Sequence, residues 1–517
     1  MKRLFIASVI IGGSLLTSNL AIAQERRPLR ALMERAVGQV EVRAALNDSQ
    51  VQEALRTQVR GIDTRQLEQA SARYAARENP IEVVDLDQDI AAPSRVLNAS
   101  QVAALSAPQR GRRVTASPDN LAPAVTRATL AARPEAQNRR GTINVDAIRR
   151  AGTSNRPANP GMDLNAPPMP TLDVNGFGEA VHAALRNSTN GYTLRMRRGG
   201  QTNYTLQWNW AQNPGDGNRG WNPDRSMHIA SISKFLTAVA LVDLLDRRNI
   251  DFDTTIAQYL PDYWTLGPNV GGITFQELMN HTSGFSTGGS DSSFAFMRQR
   301  VAAGFPASQS GDYDYENMNF GLMRILIATI GGYVDEDTNF GPLFNNMMWD
   351  LVTKMAYVDY METRVFAPAG VTGASLASAA STAHGYTRTG ANGQDWGNLS
   401  DWAGGAAWHM SADDVLDIAS WFRRSGDSIS RARATEALQE GYGVDGSWNT
   451  AVGRIYHKNG SWRTGGDCDS RRQVQSILFF LPEDMEVVVF VNSPIGATCQ
   501  SLRDVIRTAY VNNIDMP

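Results

Sequence analysis

The stretch HIASISKFLTAVALVDLLDRR, residues 228–248, leaves a folded chain few options. Phe235, Leu236, Val239, Val242 and Leu245 recur at three- and four-residue steps, the spacing of an α-helix. Ala238, Ala240, Leu241 and Leu244 fill most of the remaining faces, so this helix is expected to be buried nearly all round. Ser231 stands at its start, and Lys234 follows one turn on, on the same face. Between Arg225 and Asp243 that lysine is the only formal charge. Burial strips an ammonium of its water, lowers its pKa and makes the neutral amine available as a base. A serine hydroxyl beside it, at the positive end of the helix dipole, is a candidate nucleophile.

Ser-x-x-Lys fixes only two positions and recurs by chance in long chains, so its weight comes from how this sequence uses lysine. Among 49 Lys plus Arg, the lysines are Lys2, Lys234, Lys354 and Lys458. A chain that prefers arginine this strongly keeps lysine where a guanidinium, which cannot deprotonate, is chemically useless. At 517 residues and 42% hydrophobic content, two or three domains and a sizeable core are expected. A formal net charge of −3 argues against a dedicated nucleic-acid binder.

Residues 1–23 read as a secretory signal peptide: Lys2 and Arg3, an apolar run over 4–16, then Ala21-Ile22-Ala23 before Gln24, with cleavage after Ala23. That run is too short for a spanning helix, and no later stretch is long enough. No cysteine follows the cleavage site to carry a lipid, so the mature chain is expected in a bacterial periplasm or secreted beyond it. Export permits a disulfide. The two cysteines, Cys468 and Cys499, flank two strand-like runs, 473–481 and 486–491, joined by Pro482-Glu483-Asp484. They lie nearly equidistant from that turn, so an antiparallel register brings them together. Closing such a loop stabilises a fold by roughly 3–4 kcal/mol in the loop-entropy description.

Residues 24–78 form an Arg-, Ala- and Gln-rich extension of helical period, with Leu29, Leu32, Val37, Val40, Leu46 and Val51 on one face. Residues 79–170 contain no aromatic side chain and few clustered apolar ones, so they cannot offset their ordering entropy and are expected to form a disordered linker. Arg110, Arg112, Arg113, Arg139, Arg140, Arg149 and Arg150 make the linker basic, suited to touching an anionic envelope surface. Residues 171–517 carry the globular character. A helix over 177–186 and paired strands at 192–198 and 204–210 precede the Ser231 helix. A short helix at 276–279 closes on Asn280-His281-Thr282-Ser283-Gly284, and 294–424 is mainly helical with Gly- and Asn-rich loops. Strand character returns only after Tyr442, before a last helix over 501–511. This order predicts an α/β (α+β) fold, with one antiparallel sheet built from both ends of the domain, flanking helices and an all-helical insert. The catalytic groups are expected in the cleft between sheet and insert.

Two further patches can be joined to Ser231 and Lys234. Tyr313-Asp314-Tyr315-Glu316-Asn317 lies in a loop before a helical run at 320–329. A tyrosine hydroxyl relays a proton where a cation favours its phenolate, and an asparagine amide both donates to and accepts from a substrate amide. Tyr456-His457-Lys458-Asn459-Gly460-Ser461 opens the strand-rich end. On an edge strand facing the cleft, Lys458 supplies positive field, Gly460 lets substrate approach the backbone, and the next amide N–H completes an oxyanion hole. His281, His384 and His457 show no His-Glu-x-x-His or clustered ligand spacing, so neither a metal nor a cofactor is expected. His281 is expected to hold a loop, and His457 to flank the strand.

In this order and spacing the patches resemble the serine β-lactamase and penicillin-binding-protein superfamily. They are most similar to its class C type, which includes β-lactamases, D-alanyl-D-alanine peptidases, D-aminopeptidases and carboxylesterases. The resemblance runs from about Thr171 onward. It takes in Leu278-Met279-Asn280-His281-Thr282-Ser283-Gly284, Arg364-Val365-Phe366-Ala367-Pro368-Ala369-Gly370, Gly404-Gly405-Ala406-Ala407 and Ser411-Ala412-Asp413-Asp414. It implies an acylated nucleophile at Ser231, with Lys234 and Tyr315 handling its proton, and leaves open which of the two is the base. It implies that Asn317 bonds the substrate amide, that Lys458, Asn459 and Gly460 form the substrate-binding strand, and that the N–H groups of Ser231 and Ser461 form the oxyanion hole. Asn459 stands where that superfamily usually has Thr, and Glu316 puts a carboxylate inside the Tyr-x-Asn step, adding negative charge near the cleft. Both weigh against a substrate carboxylate and leave esters or other amides open. The resemblance thus implies an exported serine hydrolase acting on a small amide, ester or peptide-like molecule. A true β-lactamase or D-alanyl-D-alanine carboxypeptidase is the first alternative, and a catalytically silent binding or scaffold relative the second.

Overall fold

The computed structural model describes residues 170–288, 291–341, 345–390 and 393–516. The expected signal peptide, the helical extension and all of the linker but Pro170 lie outside the described residues. Helix α1 (Val174–Leu185) leads into strands β1 (Gly191–Arg198), β2 (Gln201–Gln212) and the short β3 (Arg219–Gly220). Helices α2 (Ile232–Arg248), α3 (Phe275–Met279), α4 (Phe294–Ala303), α5 (Asn317–Ile330) and α6 (Asn345–Met361) follow. After α7 (Ala412–Arg424) and α8 (Arg431–Gln439) come β4 (Gly446–Asn449), β5 (Arg454–Arg463), β6 (Gln473–Leu481) and β7 (Met485–Val491), then α9 (Leu502–Val511).

The strands make one seven-stranded antiparallel sheet in the order β3-β2-β1-β7-β6-β5-β4. The two ends of the domain meet at its middle, where Thr193 of β1 pairs with Phe490 of β7. Strands β6 and β7 read as nearly unbroken apolar runs because both faces of the sheet are covered. Along them, Val474, Leu478, Phe480, Val488 and Phe490 face the layer that holds α2 and the insert. Ile477, Phe479, Leu481, Val487 and Val489 face the layer built with α1 and α9. Helix α2 is buried at every position from Ile232 to Leu245 and ends where Asn249 adopts the left-handed conformation, with Arg247 and Arg248 in its last turn.

The β6–β7 register sets Gln475 opposite Val491 and so carries the flanking segments side by side. Cys468 and Cys499 are joined there in a disulfide, with their Cα atoms 5.4 Å apart. Two expectations need correcting. Helix α5 starts at Asn317 rather than near residue 320, so Asn317 sits in its first turn instead of in the preceding loop. The insert is not helical throughout. Among the described residues of 371–408 there is one 3₁₀ turn, at Ser400–Trp402, and no α-helix. Glycines at positive φ, among them Gly390, Gly397 and Gly404, interrupt that stretch.

Candidate active site

The chain enters α2 through a turn in which Ala230 has a φ of +47°. That left-handed conformation costs on the order of 1–3 kcal/mol in a residue with a Cβ and persists only where the surroundings enforce it. Ser231 follows as the residue capping α2, yet its hydroxyl makes no capping bond. Instead Ser231 Oγ accepts hydrogen bonds from Lys234 Nζ at 3.1 Å and from Tyr315 OH at 2.8 Å. Lys234 is fully buried, and its Nζ also donates to Asn317 Oδ1 at 2.7 Å and to Gly405 O at 3.1 Å. The Gly405 carbonyl reaches the amine because the preceding Gly404, at a φ of 95°, lies against the Phe320 backbone where a Cβ would collide.

Burial is the largest influence on the Lys234 amine and lowers its pKa; Lys458 lowers it further, against the opposing pull of Tyr315 and Asp445. For Tyr315 burial acts upward, but the Lys234 and Lys458 ammonium groups reverse the outcome and hold the hydroxyl below the usual tyrosine value. The two lysine nitrogens lie 5.0 and 5.3 Å from the centre of the Tyr315 ring. Lys234 and Tyr315 thus each shift the other's pKa. On its other side the Tyr315 ring stacks on His281 at 4.4 Å, and His281 Nδ1 accepts from the Glu316 N–H at 3.1 Å. His281 thus fixes the tyrosine loop by hydrogen bonding.

Lys458 comes in from β5. Its Nζ lies 2.5 Å from Asp445 Oδ1, while Asp445 Oδ2 accepts from the Asn459 N–H at 2.8 Å. Burial opposes both charges, but each holds the other: Lys458 is raised and Asp445 lowered from their ordinary values. Asp445 was missed by sequence reasoning. The usable signal was the β4–β5 hairpin, which sets Gly446 opposite His457 and therefore puts the residue before β4 next to Lys458.

Gly460 meets a packing constraint of its own. A Cβ there would collide with Ser476 Oγ and lie 2.5 Å from Ile229 O and 3.2 Å from the Ser231 nitrogen. The glycine makes room for the turn that carries Ser231. Ser476 Oγ ties that turn down by donating to Ile229 O at 2.7 Å. Asn459 and His457 use their main chains on the outer edge of β5, as donor to and acceptor from Asp445. Strand alternation turns the Ser461 N–H to that same edge, just past the end of β4. The Ser461 side chain accepts from Gln473 Nε2 at 2.9 Å. The Asn459 side chain lies on the His457 side of the strand, beside that imidazole.

Glu316 does not charge the cleft. It is fully buried, and its carboxylate takes the N–H and hydroxyl of Thr287. Lys354 is an exception to the argument from lysine usage: it bridges Asp350 at 2.7 Å and Asp401 at 2.5 Å, away from Ser231. His457 packs on Trp448 and Phe479, and His384 lies beside Tyr386. Among the described residues no cluster of three or more His, Cys, Asp or Glu is placed to hold a metal, and no helix is long and apolar enough to cross a membrane.

The family model described as Beta-lactamase matches residues 179–503 of this sequence, more than half its length. The chain therefore belongs to the β-lactamase family of serine hydrolases. It is similar to PbpX of Bacillus subtilis, at 25% identity over 159 residues, 30% of this chain and 34% of PbpX. The esterase/beta-lactamase LipL of Mycobacterium tuberculosis is 29% identical over 118 residues, 22% of this chain and 27% of LipL. The chain thus spans 34% and 27% of the length of these two curated relatives. Among solved structures, a beta-lactamase/D-alanine carboxypeptidase from Yersinia pestis, complexed with citrate, aligns with a TM-score of 0.48 at 17% identity, covering 65% of this chain and 95% of that one.

Proposed function

We propose that the protein hydrolyses small esters or amides, peptide-like ones included, through an acyl-enzyme on Ser231. The observation that carries this reading is the position of Ser231 Oγ, 3.1 Å from a fully buried amine and 2.8 Å from a tyrosine hydroxyl. Ser231 Oγ attacks the substrate carbonyl carbon while the Lys234–Tyr315 pair takes its proton. The oxyanion is held by the N–H groups of Ser231 and Ser461, and Asn317 and Lys458 orient the substrate. As the carbon–nitrogen or carbon–oxygen bond breaks, the pair hands the proton to the leaving group. Water then attacks the acyl carbon, the pair accepts its proton, and Ser231 Oγ leaves with that proton as the acid departs. A scaffold role has no use for a fully buried lysine held on a serine, an asparagine and a carbonyl.

The same proposal places the protein outside the cytoplasm, in a periplasm or secreted. The leader-like residues 1–23 and the Cys468–Cys499 disulfide support this.

The test is a hydrolysis panel of β-lactams, D-amino-acid amides and short acyl esters, with Ser231→Ala as the blank. At least one class is expected to turn over in the unaltered chain and to fall to background in the variant. Turnover that survives Ser231→Ala contradicts the reading.

A further inference from the structure

A single internal carboxylate takes up two donors at the substrate-facing edge of β5. Asp445 Oδ1 lies 2.5 Å from Lys458 Nζ, and Asp445 Oδ2 accepts the Asn459 N–H at 2.8 Å. An ammonium and a main-chain N–H on a strand edge would otherwise make a ready cradle for an anion. Both sit next to the nucleophile: Gly460, the next residue, packs against the Ser231 turn, and Lys458 Nζ stands 5.3 Å from the centre of the Tyr315 ring. The Asp445 side chain is only 14% exposed and that of Lys458 1%, so the pair is part of the wall of the site. Opening it to admit a second carboxylate would strand a buried charge and set two anions side by side, and unpairing buried charges is strongly unfavourable. Glu316 does not contribute here, since Thr287 holds its carboxylate.

We infer that Asp445 is a specificity-determining residue that fills the anion cradle from within, so that the site takes substrates with no negative charge at that end: neutral esters and amides. The inference rests on the acyl-enzyme reading and narrows its substrate class.

The test compares 3-acetoxybenzoate with methyl 3-acetoxybenzoate, which share one scissile acetyl ester and differ by one carboxylate. Ser231→Ala serves as the blank, and a fluorophosphonate probe reports whether Ser231 is reactive. In the unaltered chain the methyl ester is expected to have at least a tenfold higher kcat/KM. Asp445→Asn is expected to bring the ratio below about threefold, mainly by lowering KM for the carboxylate. Should that variant fail to fold, the comparison in the unaltered chain decides alone. Equal rates, a faster carboxylate, no turnover of the methyl ester by a chain whose Ser231 is labelled, or an unmoved ratio in folded Asp445→Asn each overturn the assignment. If Ser231 takes no label, the acyl-enzyme reading itself fails, and this inference with it.

Discussion

Lys234→Met is expected to lower kcat/KM about 10³-fold while the chain stays folded, within the 10²–10⁴ that a positioned acid–base group supplies. Methionine matches the length of the aliphatic stem and suits a helix buried on every side. It cannot take a proton from Ser231 Oγ or cross to Asn317 Oδ1 and Gly405 O, the contacts Lys234 makes at 3.1, 2.7 and 3.1 Å. Two opposing terms govern stability. Withdrawing a donor from a buried carbonyl costs about 1–3 kcal/mol, and removing an amine that burial disfavours returns a similar amount. The melting temperature is therefore expected to stay within about 5 °C. Steady-state kinetics on whichever substrate the panel identifies, with a thermal melt beside them, check both parts. A variant that melts normally and keeps more than a tenth of the activity would remove Lys234 from the mechanism.

The second large effect is expected at Gly460→Ala. The added methyl group meets Ile229 O at 2.5 Å and the Ser231 nitrogen at 3.2 Å, and these are backbone atoms that cannot swing aside as a side chain does. Either β5 or the turn carrying the nucleophile has to move. A displacement of about 1 Å at a reacting atom costs on the order of 10²-fold in rate, and overpacking of this kind costs about 1–3 kcal/mol in stability. The loss is expected mainly in kcat, since either movement changes the spacing between Ser231 and the β5 edge proposed to hold the oxyanion. Kinetics and a urea denaturation midpoint measure the two parts. Activity within threefold of the unaltered chain would mean that the turn has slack which the packing around Gly460 does not show.

The α2 helix, the Ser231–Lys234 step, the sheet drawn from both ends of the domain and the Cys468–Cys499 pairing were legible because each follows from short-range pattern. Helical spacing, strand alternation and two cysteines equidistant from one turn are local quantities. What escaped is long-range or main-chain. Asp445 reaches Lys458 only across the β4–β5 hairpin, a signal usable only once the register of that hairpin is known. Gly405 O is a carbonyl in an irregular loop, and carbonyls leave no mark in a sequence. Glu316 was assigned to the cleft from its neighbours Tyr315 and Asn317, but the extended backbone before α5 turns alternate side chains apart and sends it to Thr287. The close approach of residues 229–231 to Gly460 is a tertiary fact that its sequence neighbours do not show. The carboxylate that pairs with Lys458 is Asp445, which the sequence reading did not single out.

If a buried amine–phenol pair deprotonates Ser231, the pH dependence of fluorophosphonate labelling follows the titration of that pair. Burial holds Lys234 below its ordinary 10.5, and the neighbouring lysines, prevailing over burial, hold Tyr315 below its ordinary 10.0. Protonated, the pair cannot act as a base, so labelling is expected to be slow at low pH. It should rise as the pair loses a proton, with a midpoint below pH 10 and a plateau above it, and the plateau is lost in Lys234→Met. A rate that climbs with hydroxide past pH 10 without levelling, or an unchanged profile in Lys234→Met, would contradict the account.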